Sequence, residues 1–495
     1  MAVKVDTQKE IIFGSSDPNI SRVLSKKEKD GELRKVAPRI YTTNLVDNLE
    51  NIVRRNLMDI LVYRYPDAII SHRSAKEMRP TATGDFFLTN STTRRVTDLP
   101  GIILNFVKGP KASPHDIPFM GMHISGEHRY MLENMQMSRK SGDESRVLPI
   151  SMIETKLEQI LLTGGEDRLN EYRDELRTVA EELGMQTEFA KINSIISALL
   201  STHDAKILST DSAKALAAGN PFDKTRVELF EVLFDAIKDR YFVIRNNRNT
   251  DEESFRLFSF FESYFSNYIE GTEFEIDEAK AIVDSGIPMP RRDEDSYDIL
   301  GTFKVLSNRA EMMKTPTSPK ELFAILSHRH SILLEGRPHM NPGIFKTKNN
   351  RAGMTEFVDY QLVKGTLSQG FKYYAALTDP FARAIFMMFM ISEVHPFNDG
   401  NGRVARVMMN AELVRADQSR IIVPTVFRED YILALRKLTR HKDPLAYINV
   451  MTKLHQFSDN LYGTDFTELK NYLATCNAYE EPSQAKLQII DRSIL

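Results

Sequence analysis

The stretch that decides the fold is His395-Pro396-Phe397-Asn398-Asp399-Gly400-Asn401-Gly402-Arg403-Val404-Ala405-Arg406. It brings an imidazole, a carboxylate, two glycines and two guanidiniums together within a dozen residues. These groups are the parts needed to move a phosphate-containing group onto a hydroxyl, because they supply a base, a ligand for a hard cation and donors for phosphate oxygens.

The flanking residues predict two helices joined by this loop. Asp379-Pro380 is an N-cap followed by a first-turn proline, and the run Phe381 to Val394 is apolar on nearly every side, so we expect a helix that is buried all round. Apolar residues return at helical spacing from Val404 to Val414. The loop Asn398 to Gly402 should therefore lead straight into a helix N-terminus, whose unpaired amides and partial positive charge suit a phosphate.

The chemistry of the side chains suggests a role for each charged group. His395, at the end of a rigid helix, can take the proton of an incoming hydroxyl. Asp399 is a hard oxygen ligand that can share a Mg²⁺ with phosphate oxygens. Arg403 and Arg406 lie three residues apart on one helical face and can clamp a polyphosphate. Alone, each residue is more often structural, but a plain turn does not need all of them in fixed register.

The twelve residues resemble the signature of the Fic family, His-Pro-Phe-x-Asp/Glu-Gly-Asn-Gly-Arg-x-x-Arg, at every fixed position. The resemblance, which covers about residues 250–460, implies a nucleotidyltransferase that takes ATP and transfers AMP to a Ser, Thr or Tyr hydroxyl of a protein. It implies that His395 is the base and that Asp399 holds the Mg²⁺ cofactor. The implied nucleotide-binding residues are Asn398, Gly400, Asn401, Gly402, Arg403 and Arg406.

A second motif precedes the core. Residues 253–271 are predicted to form a helix, and its end, Ser266 to Gly271, is similar to the inhibitory motif of the family, Ser/Thr-x-x-x-Glu-Gly/Asn. The resemblance implies that Ser266 and Glu270 are inhibitory residues and that Glu270 pairs with Arg406. Because one guanidinium cannot fork to a carboxylate and a phosphate at once, we expect auto-inhibition.

Residues 342–358 look like two short extended segments joined by a polar turn, Lys346 to Arg351. In the family, a hairpin at this place is the flap that holds the target segment by strand addition. The resemblance therefore implies a protein substrate bound along this flap, and self-modification is included among the expected reactions.

Length and composition set further bounds. With 495 residues and 42% hydrophobic content, the chain can form two to four domains. The formal net charge of -3 does not indicate a nucleic-acid coat or a membrane-seeking surface. Cys476 is the single cysteine, which excludes an intrachain disulfide and a cysteine-based zinc site. Neither a secretory signal at Met1 to Phe13 nor a membrane-spanning apolar run is visible, so we expect a cytoplasmic protein without membrane contact.

The pattern along the chain predicts a mostly α protein in four parts. Residues 1–137 should form a small α+β domain and residues 147–245 a helical region. Residues 250–460 should form the helical Fic core with its β-hairpin flap, followed by a C-terminal tail at residues 461–495. Within the first part, Gly31 to Tyr41 and Ile69 to Ala75 are faintly similar to the winged-helix antitoxins of abortive-infection systems.

Two alternatives to AMP transfer stay open. The same loop could present another phosphate compound, as in family members that act as kinases or phosphocholine transferases. A different class of function is an antitoxin or transcriptional regulator in which the N-terminal domain binds DNA. A docking or scaffolding role for that domain is favoured over DNA binding, because the Lys and Arg of the predicted helix Ile20 to Lys29 are nearly offset by Asp and Glu.

Overall fold

The computed structural model describes residues 9–200, 205–353 and 355–492, and the chain folds as two units, Met1–Ala218 and Gly219–Leu495. The prediction of a mostly helical protein with a small N-terminal β region is confirmed. The four predicted domain boundaries stay a prediction. Among the described residues, none of the helices combines the length and apolar composition needed to cross a bilayer.

The first unit has two sheets, of which the smaller runs β1-β3-β2 and the larger β6-β7-β5-β4-β9-β8. The larger sheet is mixed, because β5 pairs in parallel with β7 and β4 in parallel with β9. The strands are β1 Ile11–Phe13, β2 Arg34–Ala37, β3 Ile40–Thr42, β4 Ile69–Ile70, β5 Asp85–Asn90, β6 Arg94–Leu99, β7 Ile102–Lys108, β8 Ile117–Phe119 and β9 Met122–Ile124.

Helices flank these sheets and then continue as a helical subregion with its own apolar cluster around Leu157, Leu176 and Ile196. The helices are α1 Pro18–Lys29, α2 Leu49–Arg55, α3 Leu57–Arg64, α4 His72–Glu77, α5 Glu127–Glu133, α6 Ile150–Leu183, α7 Gln186–Leu199 and α8 Asp211–Ala217. Gly165, with φ +73°, interrupts α6 and produces a kink. The antitoxin resemblance of this unit stays a prediction.

The second unit is a helical bundle around one large apolar core. Its elements are α9 Lys224–Ile237, α10 Glu252–Ile269, α11 Ile276–Ser285, α12 Asp293–Leu306, α13 Arg309–Met312, α14 Pro319–Leu333, β10 Arg351–Ala352, β11 Thr355–Glu356, α15 Val363–Ala376, α16 Pro380–Val394, α17 Asn401–Arg415, α18 Arg428–His441, α19 Pro444–Ser458 and α20 Phe466–Thr475. Helix α16 lies at the centre, with side chains such as Phe386 and Phe389 fully buried.

The flap hairpin differs from the prediction. Its strands are only Arg351–Ala352 and Thr355–Glu356, and Gly353, with φ +58°, stands in its turn. The turn predicted at Lys346 to Arg351 is therefore wrong, and so is the extended segment predicted before it. The physical reason is that Pro342 and Gly343, the latter at φ +79°, bend the chain early, so that pairing starts later.

Candidate active site

Helix α16 positions His395. The side chain of Asp379 accepts the N–H of Ala382 at 2.8 Å, and Pro380 occupies the first turn, so the helix begins where the sequence predicts. His395 ends the helix in the left-handed region, at φ +51°, while its N–H still donates to Ile391 O at 2.9 Å. A bulky residue held at positive φ is costly, and such residues concentrate at functional sites.

The contacts of the His395 imidazole fix its tautomer and its orientation. Nδ1 lies 3.3 Å from Ser392 O. Because a carbonyl oxygen can only accept, Nδ1 carries the proton and Nε2 keeps its lone pair. The ring stacks on Phe357, with ring centroids 3.6 Å apart.

The charge state of His395 agrees with this arrangement. Burial lowers the pKa of His395 to about 4, and the positive charge of Lys346 acts in the same direction. The hydrogen bond to Ser392 and the carboxylates of Glu270 and Asp399 oppose the shift without cancelling it. The imidazole is therefore uncharged at neutral pH.

One side chain holds the loop after His395 in place with two hydrogen bonds. Asn401 accepts the N–H of Phe397 and donates to Phe397 O, each at 2.8 Å. The ring of Phe397 is buried and stacks on His330. The side-chain amide of Asn401 is therefore used to hold the loop. The group of Asn401 that can bind a ligand is its backbone N–H. Asn398, by contrast, is exposed, and its Nδ2 lies 3.5 Å from Met340 O.

The loop leads into the N-terminus of α17 as predicted. Gly400 takes φ +70°, and a Cβ there would come within 2.6 Å of Leu334 Cδ2. The first bond of the helix runs from Val404 N–H to Gly400 O, so the amides of residues 401–403 precede the helical ladder. These are the amides that can receive an anion.

A neutral histidine supports this turn from outside the motif. His330 Nδ1 accepts the N–H of Gly343 at 2.8 Å, and Nε2 donates to Asp399 O at 2.9 Å. Burial lowers the pKa of His330 to about 4, and the Asp399 bond opposes the shift. The ring thereby connects α14, the segment before the flap and the loop.

Glu270 and Arg406 form the contact that the second motif predicts. Glu270 is the C-cap of α10, and its Oε1 lies 2.7 Å from Arg406 Nη2. Ser266 Oγ accepts from Arg406 Nε at 3.0 Å, and Ser266 O accepts from Nη2 at 2.9 Å. A Cβ on Gly402 would overlap Glu270 Oε1, so the carboxylate lies directly on the N-terminus of α17.

Electrostatics stabilise the ionised form of Glu270. Burial alone would raise the pKa of this carboxyl, but the positive charge and hydrogen bond of Arg406, with help from Arg403 and His395, outweigh burial and lower the pKa. The Arg406 guanidinium is almost fully buried, whereas 30% of the Glu270 side chain is exposed. The carboxylate therefore occupies a position that solvent can reach.

Arg403 has a partner that the sequence did not indicate. Its Nη1 lies 2.7 Å from Asp298 Oδ1, on α12, and that carboxylate also accepts from Arg337 at 2.8 Å. Asn267 Oδ1 lies 3.4 Å from the same Nη1. Within the part of the chain that the structure describes, the buried Nε of Arg403 has no acceptor. Asp298 carries no motif, and only the fold brings it to the site.

Asp399 fits one ligand of a cation. Its side chain is 39% exposed, Oδ1 accepts the N–H of Gly400 at 2.7 Å, and Oδ2 lies 3.6 Å from Arg403 Nη2. The described residues contain no group of three or more His, Cys, Asp or Glu side chains that could hold a metal. The single exposed carboxylate of Asp399 is of the kind that Mg²⁺ can use, because this ion commonly takes one or two carboxylates and its remaining ligands from phosphates and water.

Comparison with known proteins agrees with the motif. Residues 321–413 match the Fic/DOC family. Protein adenylyltransferase fic-1 of Caenorhabditis elegans is 25% identical over 231 residues, which is 45% of this chain and 45% of that protein. Protein adenylyltransferase Fic of Nematostella vectensis is 24% identical over 214 residues, or 40% of this chain and 47% of that protein. The chain thus matches about half the length of these curated relatives.

A solved structure described as Fic-1 (aa134 - 508) from C. elegans is 15% identical and covers 66% of this chain and 94% of that chain, with a TM-score of 0.35. The predicted Fic resemblance is confirmed for the core by the family match, which includes the His395–Arg406 signature. The part of this chain that is similar to the Fic/DOC family is residues 321–413.

Proposed function

We propose that the protein is an adenylyltransferase that moves AMP from ATP onto a Ser, Thr or Tyr hydroxyl of a protein. One observation carries the proposal: an uncharged imidazole, whose Nε2 makes no hydrogen bond to the described residues, and a helix N-terminus belong to the same loop, which Asn401 holds with two hydrogen bonds of 2.8 Å. The names of the relatives in C. elegans and N. vectensis support the same activity.

The reaction follows from these groups. Nε2 of His395 takes the hydroxyl proton of the target, and the resulting oxygen attacks the α-phosphorus of ATP. A new oxygen–phosphorus bond forms as the bond from the α-phosphorus to the oxygen bridging to the β-phosphorus breaks, and diphosphate leaves with the electron pair. The amides of residues 401–403, with Arg406 and Arg403, stabilise the charge on the departing diphosphate. Mg²⁺ held by Asp399 would supply further neutralisation of the phosphates.

The protein as folded is auto-inhibited in this proposal. Arg406 Nη2 is bonded to Glu270 and to Ser266 O, so a phosphate could gain this donor only by displacing Glu270. ATP bound beside the carboxylate would place its phosphates out of line for attack.

The protein substrate is proposed to add a strand to the hairpin of β10 and β11. Residues 351–353 are exposed, as a docking edge requires. In this pairing the outward N–H and C=O of Arg351 would read the target backbone, and the same edge could accept a segment of another copy of the chain. Self-modification is therefore included in the proposal.

The test uses α-labelled ATP and intact-mass measurement. Glu270→Gly should increase incorporation of label into protein, and Glu270→Gly with His395→Ala should abolish it, because a positioned base contributes roughly 10²–10⁴-fold. The mass added distinguishes AMP from phosphate and phosphocholine. Adenylyl transfer is refuted if the Glu270→Gly protein adds phosphate or phosphocholine instead of AMP. It is also refuted if this variant modifies neither itself nor any protein in a lysate.

A further inference from the structure

Lys346 is a buried cation that neither motif indicated. The residue is 3% exposed, although lysine is almost never buried without a partner. Its Nζ donates to Asn350 Oδ1 at 2.7 Å. An ammonium group has three donors, and among the described residues this is the hydrogen bond that it makes. Burial lowers the pKa of Lys346 to about 8; Asp359 opposes this shift and Arg226 adds to it.

The same two residues attach the base of the flap to the loop that follows His395. The backbone N–H of Lys346 donates to Pro396 O at 2.8 Å. Asn350 Nδ2 donates to Phe397 O, also at 2.8 Å. With the Lys346–Asn350 bond, these contacts form a closed set that we call the flap latch. It fixes the carbonyl groups of the two residues that follow His395.

The flap also contacts the His395 ring. Phe357, just after β11, stacks on the imidazole at an interplanar angle of 6°. The ring orientation and the backbone behind it are thus both set by the segment 346–357. The charged groups that act on His395 are Lys346, Glu270 and Asp399, and of these three Lys346 alone favours the uncharged imidazole.

We propose that Lys346 is a positioning residue for His395: through the flap latch it holds the loop that carries the base, and it places an ammonium group beside that loop. This inference rests on the proposed function for its catalytic meaning. Its physical content, the influence of Lys346 on His395, can be measured without any transfer reaction.

The first experiment is therefore a ¹⁵N NMR titration of the histidines, with His395 assigned from a His395→Asn spectrum. Lys346→Met, which keeps the stem of the side chain and removes the charge, should raise the pH at which His395 titrates by roughly 0.5 or more. Lys346→Arg and the exposed neighbour Lys348→Met should leave it in place. His455 lies in the same unit, and its unchanged resonance reports that the variant is folded. An unchanged His395 titration in folded Lys346→Met overturns the proposal.

The second experiment measures transfer in the Glu270→Gly background. Lys346→Met should lower kcat about 10- to 100-fold while the KM for ATP stays within about twofold, because misplacement of a base affects the chemical step. Lys346→Arg should retain the pH dependence of the parent but lose part of kcat, since it keeps the charge and a donor but places a longer, planar group in a buried site. An unchanged kcat in Lys346→Met refutes the positioning role. If the Glu270→Gly parent itself transfers nothing, the proposed function fails, whereas the NMR result for Lys346 still stands.

Discussion

Single residues in the second unit are held in the protonation state that the proposed chemistry needs. His330 and His395 both have their pKa lowered to about 4 by burial, and backbone groups fix the ring nitrogens of each. In His395 the fixed atom is Nδ1, which leaves Nε2 for the substrate. In His330 both nitrogens are used, Nδ1 as an acceptor and Nε2 as a donor, so this ring is structural.

The rate of transfer should therefore be insensitive to mild acid. A base must be unprotonated to act, and a pKa of about 4 keeps His395 unprotonated down to nearly that pH. In the Glu270→Gly protein, kcat/KM should stay level from neutral pH downward and fall about tenfold per pH unit only below about 4. Diphosphate release at a series of pH values measures this. A fall that begins near the ordinary histidine value, about 6.5, would contradict the assignment of His395 as the base.

His330 should make stability depend on pH. Its folded pKa lies below the unfolded value, so the unfolded chain binds more protons between about 6.5 and about 4, and stability falls as pH drops through that window. A shift of this size corresponds to roughly 3 kcal/mol. His330→Gln keeps a donor for Asp399 O but does not titrate, so its thermal midpoint should fall less than that of the parent between these pH values. Equal falls in both proteins would show that the His330 ring does not carry this dependence.

At the scale of elements, α10 is held along its whole length. Glu262 and Arg420 form a buried ion pair at 3.0 Å, with Asn410 bonded to the same carboxylate. Near the C-terminal end of the helix, Tyr268 OH donates to Glu481 at 2.8 Å, and Phe265 stacks on Tyr479. The segment predicted as a C-terminal tail thus packs against the helix that ends at Glu270.

Loss of this C-terminal contact should weaken inhibition. Tyr268→Phe and Glu481→Leu each remove the hydrogen bond between Tyr268 and Glu481, which is worth about 1 kcal/mol and lies two residues before Glu270. Basal transfer should rise up to about fivefold in either variant. Glu480→Gln, an exposed neighbour, is the control. In the Glu270→Gly background none of the three changes should matter, and a further increase there would mean that the contact acts on something other than inhibition.

Local sequence predicts those elements whose ends carry their own signals. The Asp379-Pro380 cap, the turn at Gly400 and the helix ahead of Gly271 all lie where expected, since a cap or a glycine acts on its immediate neighbours. The hairpin was misplaced because its register depends on Pro342, Gly343 and contacts with the loop rather than on alternation. Asp298 was missed for a related reason, because its bond to Arg403 joins residues more than a hundred positions apart.

The whole molecule consists of two units with separate apolar cores. The core of the second unit is drawn from residues between Leu229 and Leu487, whereas the clusters around Leu157 and around Leu104 belong to the first. Every site residue described above, from Arg226 to Glu481, lies in the second unit. We therefore expect the proposed chemistry and its inhibition to need only residues 219–495.

A fragment of residues 219–495 should fold and keep the behaviour of the full chain. Because its core is complete, we expect a cooperative thermal transition and a helical circular dichroism spectrum. With Glu270→Gly it should incorporate AMP into itself or a lysate protein at a rate similar to that of the full chain with the same change. A fragment that folds but transfers nothing would place part of the active site in the first unit. Salt-sensitive DNA binding by the remaining residues, 1–218, would instead support the regulator alternative.

The contact between Gly402 and Glu270 limits which mutations can relieve the proposed auto-inhibition. Any side chain at position 402 would evict the carboxylate, yet it would also fill the space over the amides where a nucleotide has to approach. A genetic selection for gain of activity should accordingly recover changes at Ser266 or Glu270 and never at Gly402. A substitution at Gly402 would relieve inhibition and block nucleotide binding at the same time, so it could not raise activity.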